Sequence, residues 1–473
     1  MTTLLWFQRD LRLHDHPGLH WALRRGGPIV PVFVLPPDDE EGGWPLGAAA
    51  RWYLHHSLVA LDADLRALGS RLIVRAGPTE ATLAALMRAT DADSLVLHGR
   101  PEAFAARRER AIARALPGVV RLDDADLARV GDVRTRDGRL FRVFTPFWRA
   151  LLELGSPPEP LPAPMELPRW PAPLDAALDD IPIDSFGLLP RIRWDAGLAE
   201  RFSPGESNAR RQLMTFAQQA AGAYEEARDL PGTAGTSSLS PSLAFGEVSP
   251  RSAWWAAQHA PAWQRQLAWR LFGRTLLTTA PDLANAPVDP RFASFPWLPD
   301  EAAAEAWRRG RTGVPIVDAA MRELWTTGWM HNRARMIVGS YLVKHLLQPW
   351  QVGERWFWDT LVDADLGNNA MGWQWVAGCG ADAAPYFRVF APTRQSERFD
   401  PQGVYLRRWL PELARLPDRW IHDPAAAPPL ELAAAGVRIG GNWPVQRIGL
   451  QQGRERALAA FSTLSRSAAS HVR

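Results

Sequence analysis

Ile29-Val30-Pro31-Val32-Phe33-Val34-Leu35 is an apolar run of strand length, rich in β-branched residues. The segment Arg51 to Leu68 that comes next has its apolar residues spaced for one face of a helix, and a second short run, Arg71 to Arg75, follows it. Outward from this core the alternation continues. Thr3 to Phe7, Ser94 to His98 and Val119 to Leu122 read as strands, and Thr79 to Ala89 as a helix. The spacing predicts a parallel sheet covered by helices, a Rossmann-like α/β domain over residues 1–130. No Gly-x-Gly-x-x-Gly follows the first strand, so the usual dinucleotide site is not expected there.

Residues 131–204 read as a connector. Their proline-rich part includes Ser156-Pro157-Pro158-Glu159-Pro160-Leu161-Pro162 and shows little sustained period. Residues 205–473 read as an all-α domain, with apolar positions three and four apart as far as Thr463 and a polar tail over the last ten residues. A chain of 473 residues exceeds what one core usually organises. Its 47% apolar and 22% charged composition is that of a soluble globular protein.

Cys379 is the only cysteine, which excludes an internal disulfide and a Cys-rich metal site. No apolar run approaches a bilayer span, and the first residues lack the marks of a signal peptide, so the expected location is the cytoplasm, away from any membrane. The net charge is only +3, but the basic residues are almost all Arg, with Lys344 the single lysine. Arg suits bidentate phosphate contacts, and biased base composition in a genome yields the same excess. Twenty-three Trp against five Tyr is compatible with a stacking surface or an electron path, as well as with core filling.

Four constellations in the helical part bear chemistry. Thr236-Ser237-Ser238-Leu239-Ser240 places hydroxyls and free N–H groups at a helix entrance, suited to a phosphate or to plain capping. Trp263, Gln266, Trp269, Arg270 and Gly273 share one helix face. Asn332 and Met336 stand four apart, with Arg333 and Arg335 nearby, a patch able to meet nucleic acid. In Asp363-Ala364-Asp365-Leu366-Gly367-Asn368-Asn369-Ala370-Met371-Gly372-Trp373-Gln374-Trp375, the residues Asp365, Asn369 and Trp373 form one row, and Trp375 points to another side. Asp363 and Asp365 lack the companion acidic residues of a metal site, and none is expected.

With these residues quoted, the chain resembles the photolyase and cryptochrome family, and within it the bacterial class I cyclobutane pyrimidine dimer photolyases. The likeness runs from Trp6-Phe7-Gln8-Arg9-Asp10-Leu11-Arg12 through Gly310-Arg311-Thr312-Gly313 and Pro385-Tyr386-Phe387-Arg388 to Phe399-Asp400-Pro401. It implies FAD bound by Tyr224, Thr236, Ser237, Ser238, Leu239, Ser240, Trp263, Arg270, Arg335, Asp363, Asp365 and Asn369, with Asn369 near the flavin N5. It also implies a lesion pocket of Gln266, Trp269, Asn332, Arg333, Met336 and Trp375. Trp373, Trp350 and Trp297 match the chain of three tryptophans that reduces oxidised flavin. The implied reaction is light-driven repair of a flipped-out dimer by an electron from excited reduced FAD.

The departures are specific. Dimer-repairing members usually carry Glu at Gln266, and Glu and Tyr at Leu271 and Gly273; Ala391 replaces a common Asn. Asn332 stands where (6-4) repair enzymes place a second His. Relatives often hold an antenna chromophore. Ala103-Phe104-Ala105-Ala106-Arg107 lacks the carboxylate of the folate-binding ones, so a folate held otherwise, a deazaflavin, a flavin or none are all open. The expected partner is dimer-containing DNA, and the resemblance implies a monomer without an obligate protein partner. The alternative is a cryptochrome-like light sensor.

Overall fold

Alternate residues of the first strand point to opposite faces of a sheet, and both faces are apolar: Leu5 and Phe7 enter one core cluster, Leu4 and Trp6 another. This is why the strands read as nearly unbroken apolar runs; a parallel sheet is covered on both sides. The computed structural model describes residues 1–123, 126–383 and 387–470, with side chains to Leu464. Pro385 and Tyr386 of the motif quoted above lie outside the described residues.

The strands are β1 (Thr2–Phe7), β2 (Ile29–Leu35), β3 (Ile73–Ala76), β4 (Ala92–His98) and β5 (Val119–Leu122), all parallel, in the order β3-β2-β1-β4-β5. The helices α1 (Pro17–Arg25), α2 (Ala48–Ala67), α3 (Thr79–Ala89) and α4 (Ala103–Ala115) connect them. The third strand begins two residues later than the sequence suggests. Arg71 is drawn instead to the backbone carbonyls of Asp175 and Leu178, at 3.2 and 2.9 Å.

The chain divides into two compact units. The first holds residues 1–222, 237–281 and 362–367; the second holds 223–236, 282–361 and 368–473. In the first unit the proline-rich segment lies against the sheet. Leu167, Leu188 and Leu198 join the cluster under one face, Leu174 and Leu178 the cluster under the other. Trp170 donates its indole N–H to the carbonyl of Ile29 at 2.7 Å. Glu247 accepts from the hydroxyls of Tyr53 and Ser57 at 2.8 and 2.7 Å and from the N–H of Gly205 at 2.6 Å, which fixes the Ser240–Phe245 helix against α2. Gly246, at φ 72°, lets that helix end within reach of the strand exit; a Cβ there would stand 2.1 Å from the carbonyl oxygen of Arg9.

The second unit is helical. Its main helices are Glu301–Arg308, Pro315–Thr327, Asn332–Ser340, Trp350–Thr360, Pro392–Phe399 and Leu450–Ser470, and it holds most of Leu366–Ala377. The last of these takes in most of what the sequence suggests is a polar tail, so that expectation is corrected as far as Ser470. Among the described residues no helix is long and apolar enough to cross a membrane.

Candidate functional site

In the first unit, the order in which strands are added to the sheet reverses between β1 and β4, and a cavity opens beyond the carboxyl ends of these strands, where open α/β sheets receive ligands. Its volume is about 360 Å³, and Arg9, Arg100, Arg270, Arg274 and Asp126 are among its walls. Arg270 donates to Asp126 at 3.0 Å and to the carbonyl of Leu243 at 3.0 Å. Arg274 lies 3.3 Å from Asp126 and 3.8 Å from Asp365. Arg270 and Asp365, predicted as flavin contacts, thus belong to one ion-pair network within this unit.

Asp10, His16 and His98 form a buried cluster at the same strand ends. Asp10 lies 3.0 Å from Nε2 of His16 and 2.6 Å from Nδ1 of His98. The opposite ring nitrogens accept from the N–H groups of Leu19 at 2.9 Å and Gly18 at 3.3 Å. Each imidazole is therefore neutral, with its proton on the nitrogen that faces Asp10. Burial pushes His16 down to about 4, and the two histidines hold the Asp10 carboxyl well below the usual carboxylate range. The cluster ties β1, β4 and the start of α1 together.

The hydroxyl-rich turn Ser237–Ser240 also belongs to this unit. Ser238 stands at φ 52°, in the left-handed region, and Leu239 follows at φ −85°, ψ 2°. Successive residues of opposite hand turn their N–H groups inward and make an anion-binding concavity. That geometry is stronger evidence than the hydroxyl count. Trp263 is buried against Phe216, centroids 4.8 Å apart, and donates to the carbonyl of Ala253 at 3.2 Å. Gln266 is half-buried one turn on. Trp269 has one face covered by Phe144, stacked at 3.7 Å and 9°. Asp363 is buried.

In the second unit the decisive element is Leu366–Ala377. Leu366, Ala370, Trp373 and Ala377 are buried, a stripe of helical period that seats this helix. Asn369 donates its amide Nδ2 to the backbone carbonyl of Glu354 at 3.0 Å. The partner is an acceptor, so the amide is oriented and Oδ1 is left as the group it presents. Trp373 is buried with its ring against Gly353, where a Cβ would come within 2.0 Å of it. It also meets Phe357 at 5.0 Å and Trp307 at 6.1 Å. Trp375 is half-buried on another side of the helix, 6.4 Å from Phe390. Lys344 closes the helix: its Nζ donates to the carbonyl of Ala377 at 2.7 Å and lies 3.0 Å over the ring of Phe387, while burial pushes the amine well below the ordinary lysine range.

Trp350 is fully buried at the start of Trp350–Thr360, and Trp297 is partly exposed. The N–H of Leu298 donates to the carbonyl of Leu347 at 2.8 Å, which draws their two segments together. Tyr224 is buried under the guanidinium of Arg228, and Thr236 is half-buried. His331 caps Asn332–Ser340 by accepting from the N–H of Arg333 at 3.2 Å, and burial pushes its imidazole down to about 4. Asn332 reaches the sulfur of Met336 at 3.9 Å. Arg333 pairs with Asp229 at 2.7 Å and lies 4.3 Å over Phe399, while Arg335 donates to the carbonyl of Met330 at 2.8 Å.

Glu354, Gly353, Lys344 and Trp307 are absent from the sequence-based site. Glu354 is buried, and neither of its carboxyl oxygens has a hydrogen-bond partner among the described residues. Burial pushes that carboxyl well above its ordinary range and so favours its neutral form. The available signal was slight: a Gly-Glu pair inside a helical stretch, and one lysine in a chain of arginines.

Two family models match the chain: DNA photolyase over residues 3–166, and the FAD binding domain of DNA photolyase over residues 263–463. The chain is 40% identical to the deoxyribodipyrimidine photo-lyase of Agrobacterium fabrum, over 98% of each chain. It is 37% identical to cryptochrome-1 of Arabidopsis thaliana, over 98% of this chain and 70% of the plant protein. Among solved structures, a bacterial class III photolyase from Agrobacterium tumefaciens superposes with TM-score 0.92 at 40% identity, over 98% of each chain. An archaeal photolyase from Sulfolobus tokodaii, with two FAD molecules, superposes with TM-score 0.82 at 27% identity, over 98% of this chain and 100% of the other.

Proposed function

Because the chain belongs to the DNA photolyase and cryptochrome family, we propose that it is a light-driven repair enzyme for cyclobutane pyrimidine dimers in DNA, working with bound FAD. The similarity to a class III photolyase favours that class, and the class I assignment drawn from motifs is not carried forward. The division of labour is an antenna-type domain over 1–130, a connector over 131–204 and a catalytic part over 205–473.

One observation carries the reading: the Asn369 amide is fixed by Glu354 so that it presents an oxygen, on the same helix as the buried Trp373. An acceptor held in that way suits the N–H that a reduced isoalloxazine carries at N5 and an oxidised one lacks. When bound, reduced FAD supplies a one-electron donor on excitation by light. The Ser237–Ser240 turn gives N–H groups for a diphosphate. Tyr224, Thr236, Trp263, Arg270, Arg335, Asp363 and Asp365 complete the proposed cofactor set. Trp373, Trp350 and Trp297 form the proposed route for reducing oxidised flavin.

For the lesion, the half-buried Trp375 and the open side of Trp269 offer aromatic surface, and Gln266 a neutral donor and acceptor for a pyrimidine edge. Asn332 and Met336 border it in the proposal. The cavity beyond β1 and β4 is large enough for part of a second chromophore, and its arginines favour an anionic one, whether a flavin, a deazaflavin or a folate.

The test is repair of a cyclobutane thymine dimer in a short oligonucleotide by the purified, reduced, FAD-loaded protein under blue light, with a dark control. Light-dependent recovery of thymines supports the proposal. Bound reduced FAD without repair refutes it and leaves the light-sensor reading.

A further inference from the structure

One wall of the proposed lesion pocket is held from behind. The rings of Phe144 and Trp269 lie face to face, with centroids 3.7 Å apart at 9°, so one side of the indole is covered almost entirely. Phe144 is buried and Trp269 only half-buried, so the exposed part of the indole is its other face and its rim. Phe272 stands nearly perpendicular to both rings, 5.7 Å from Trp269 at 80° and 5.8 Å from Phe144 at 75°. Phe147, one turn beyond Phe144 on the Phe144–Glu153 helix, is fully buried and rests against Phe272 at 5.1 Å. This helix lies in the stretch read as a connector, and it is packed on Pro261–Thr279, the helix that carries Gln266 and Trp269.

An indole on a helix turns about two side-chain bonds, among a few staggered positions. With one ring flat against its face and another at its edge, leaving the observed position drives it into occupied volume. The stack is also closer than packing alone favours. Aromatic pairs prefer offset or edge-on arrangements with centroids roughly 4.5–7 Å apart, and near-complete overlap sets ring faces of like partial charge against each other. At this contact the better pair geometry is given up, and what stands in its place is a flat support behind Trp269.

We propose that Phe144 is a positioning residue for the lesion: it holds the Trp269 indole so that its uncovered face stays turned to the pyrimidines that leave the DNA helix. The inference rests on the reading of Trp269 as a wall of the lesion pocket. Buried as it is, Phe144 acts through Trp269 alone. Without the flat ring behind it, the indole tilts into the vacated volume and the dimer loses its stacking surface. DNA without a dimer keeps its bases in the helix and is held by its phosphates, so its binding does not depend on Phe144. Part of the connector thereby belongs to the machinery that recognises damage.

The experiment uses the FAD-loaded protein in the dark and two fluorescently labelled duplexes, one with a single thymine dimer and one without. Phe144→Leu fills much of the space but removes the flat face, and Phe144→Met, with its adaptable side chain, is the second variant in case leucine does not fold. The dissociation constant for the dimer duplex is expected to rise roughly ten-fold, about the cost of one lost base–aromatic stack, with FAD content and binding of the undamaged duplex unchanged. Trp269→Ala also weakens dimer binding, and adding Phe144→Leu to it weakens binding no further. A general loosening of the fold would lower affinity in either background. Dimer binding that is unchanged in the Phe144 variants while Trp269→Ala lowers it, or a further loss in the double variant, overturns the inference and leaves the proposed function standing. Dimer binding unchanged in Trp269→Ala overturns it together with the reading of Trp269.

Discussion

Gly353→Ala tests the packing of the electron path most directly. The added methyl would lie 2.0, 2.4 and 2.5 Å from Cη2, Cζ3 and Cζ2 of Trp373, so the ring must retreat by roughly 1.5 Å to reach an ordinary carbon–carbon separation. Trp373 is 3% exposed and is packed against both Phe357 and Trp307, which limits its retreat. Overpacking of this kind costs about 1–3 kcal/mol. Trp373→Phe alone also costs about 1–3 kcal/mol, through the volume it vacates. The three atoms that collide with the methyl belong to the outer part of the indole, which phenylalanine lacks. The double variant is therefore expected to be no less stable than Trp373→Phe by itself, an interaction energy of about 1–3 kcal/mol. Urea unfolding of the four proteins at equal FAD saturation measures it. If the two losses add to within about 0.5 kcal/mol, the ring does not rest on Gly353 and the reasoning fails.

Trp373→Phe is expected to block photoreduction from oxidised FAD while prereduced enzyme still repairs; equal loss of both activities would count against the assigned roles. Burial holds the Glu354 carboxyl above its ordinary range in the fold, so it costs stability increasingly as pH rises from about 4.5, where the unfolded chain ionises. Glu354→Gln should then melt higher than the parent at pH 8, with the gap closing towards pH 4, and a pH-independent gap would show that the carboxyl is not the cause. Ser238→Val puts a β-branched residue at φ 52°, at a cost of about 1–2 kcal/mol, and should lower FAD retention on gel filtration, whereas Ser238→Gly keeps it. Arg333 is engaged with Asp229 and Phe399, so Arg333→Ala should lower the melting point yet leave the salt dependence of DNA binding unchanged; a slope smaller by about 0.9 would mean that it holds a phosphate.

The sheet was legible because its central strands β1, β2 and β4 are buried on both faces, which leaves an apolar run with no competing period. The helical residues that meet across long sequence intervals were not. Nothing local to Arg270 announces Asp126, 144 positions earlier, and nothing local to Trp269 announces the stacked Phe144. The Thr236–Ser240 hydroxyls were visible, but their strongest property, the reversal of hand between Ser238 and Leu239, is a backbone conformation that a serine does not advertise. The family likeness supplied a role for Asn369, and only the structure shows which end of its amide is presented.

The second unit breaks local rules where it surrounds Leu366–Ala377. Gly353 interrupts a helix at a cost of about 1 kcal/mol relative to alanine, and Gly339 interrupts another where a Cβ would crowd Val376. Glu354 buries a carboxyl with no hydrogen-bond partner among the described residues, and Lys344 buries the chain's single lysine amine to close one helix end. A packed core has no use for any of these. They are accounted for together if the helix must hold Asn369 and Trp373 to within a few tenths of an ångström. A carbonyl grips the amide, glycine lets the indole lie on backbone, and the Lys344 amine fixes the last turn. Electron transfer between rings depends steeply on their separation, whereas hydrophobic burial hardly does. Stability given up to fix a ring's position is therefore a sign of redox work, and it falls here on the helix that carries Trp373.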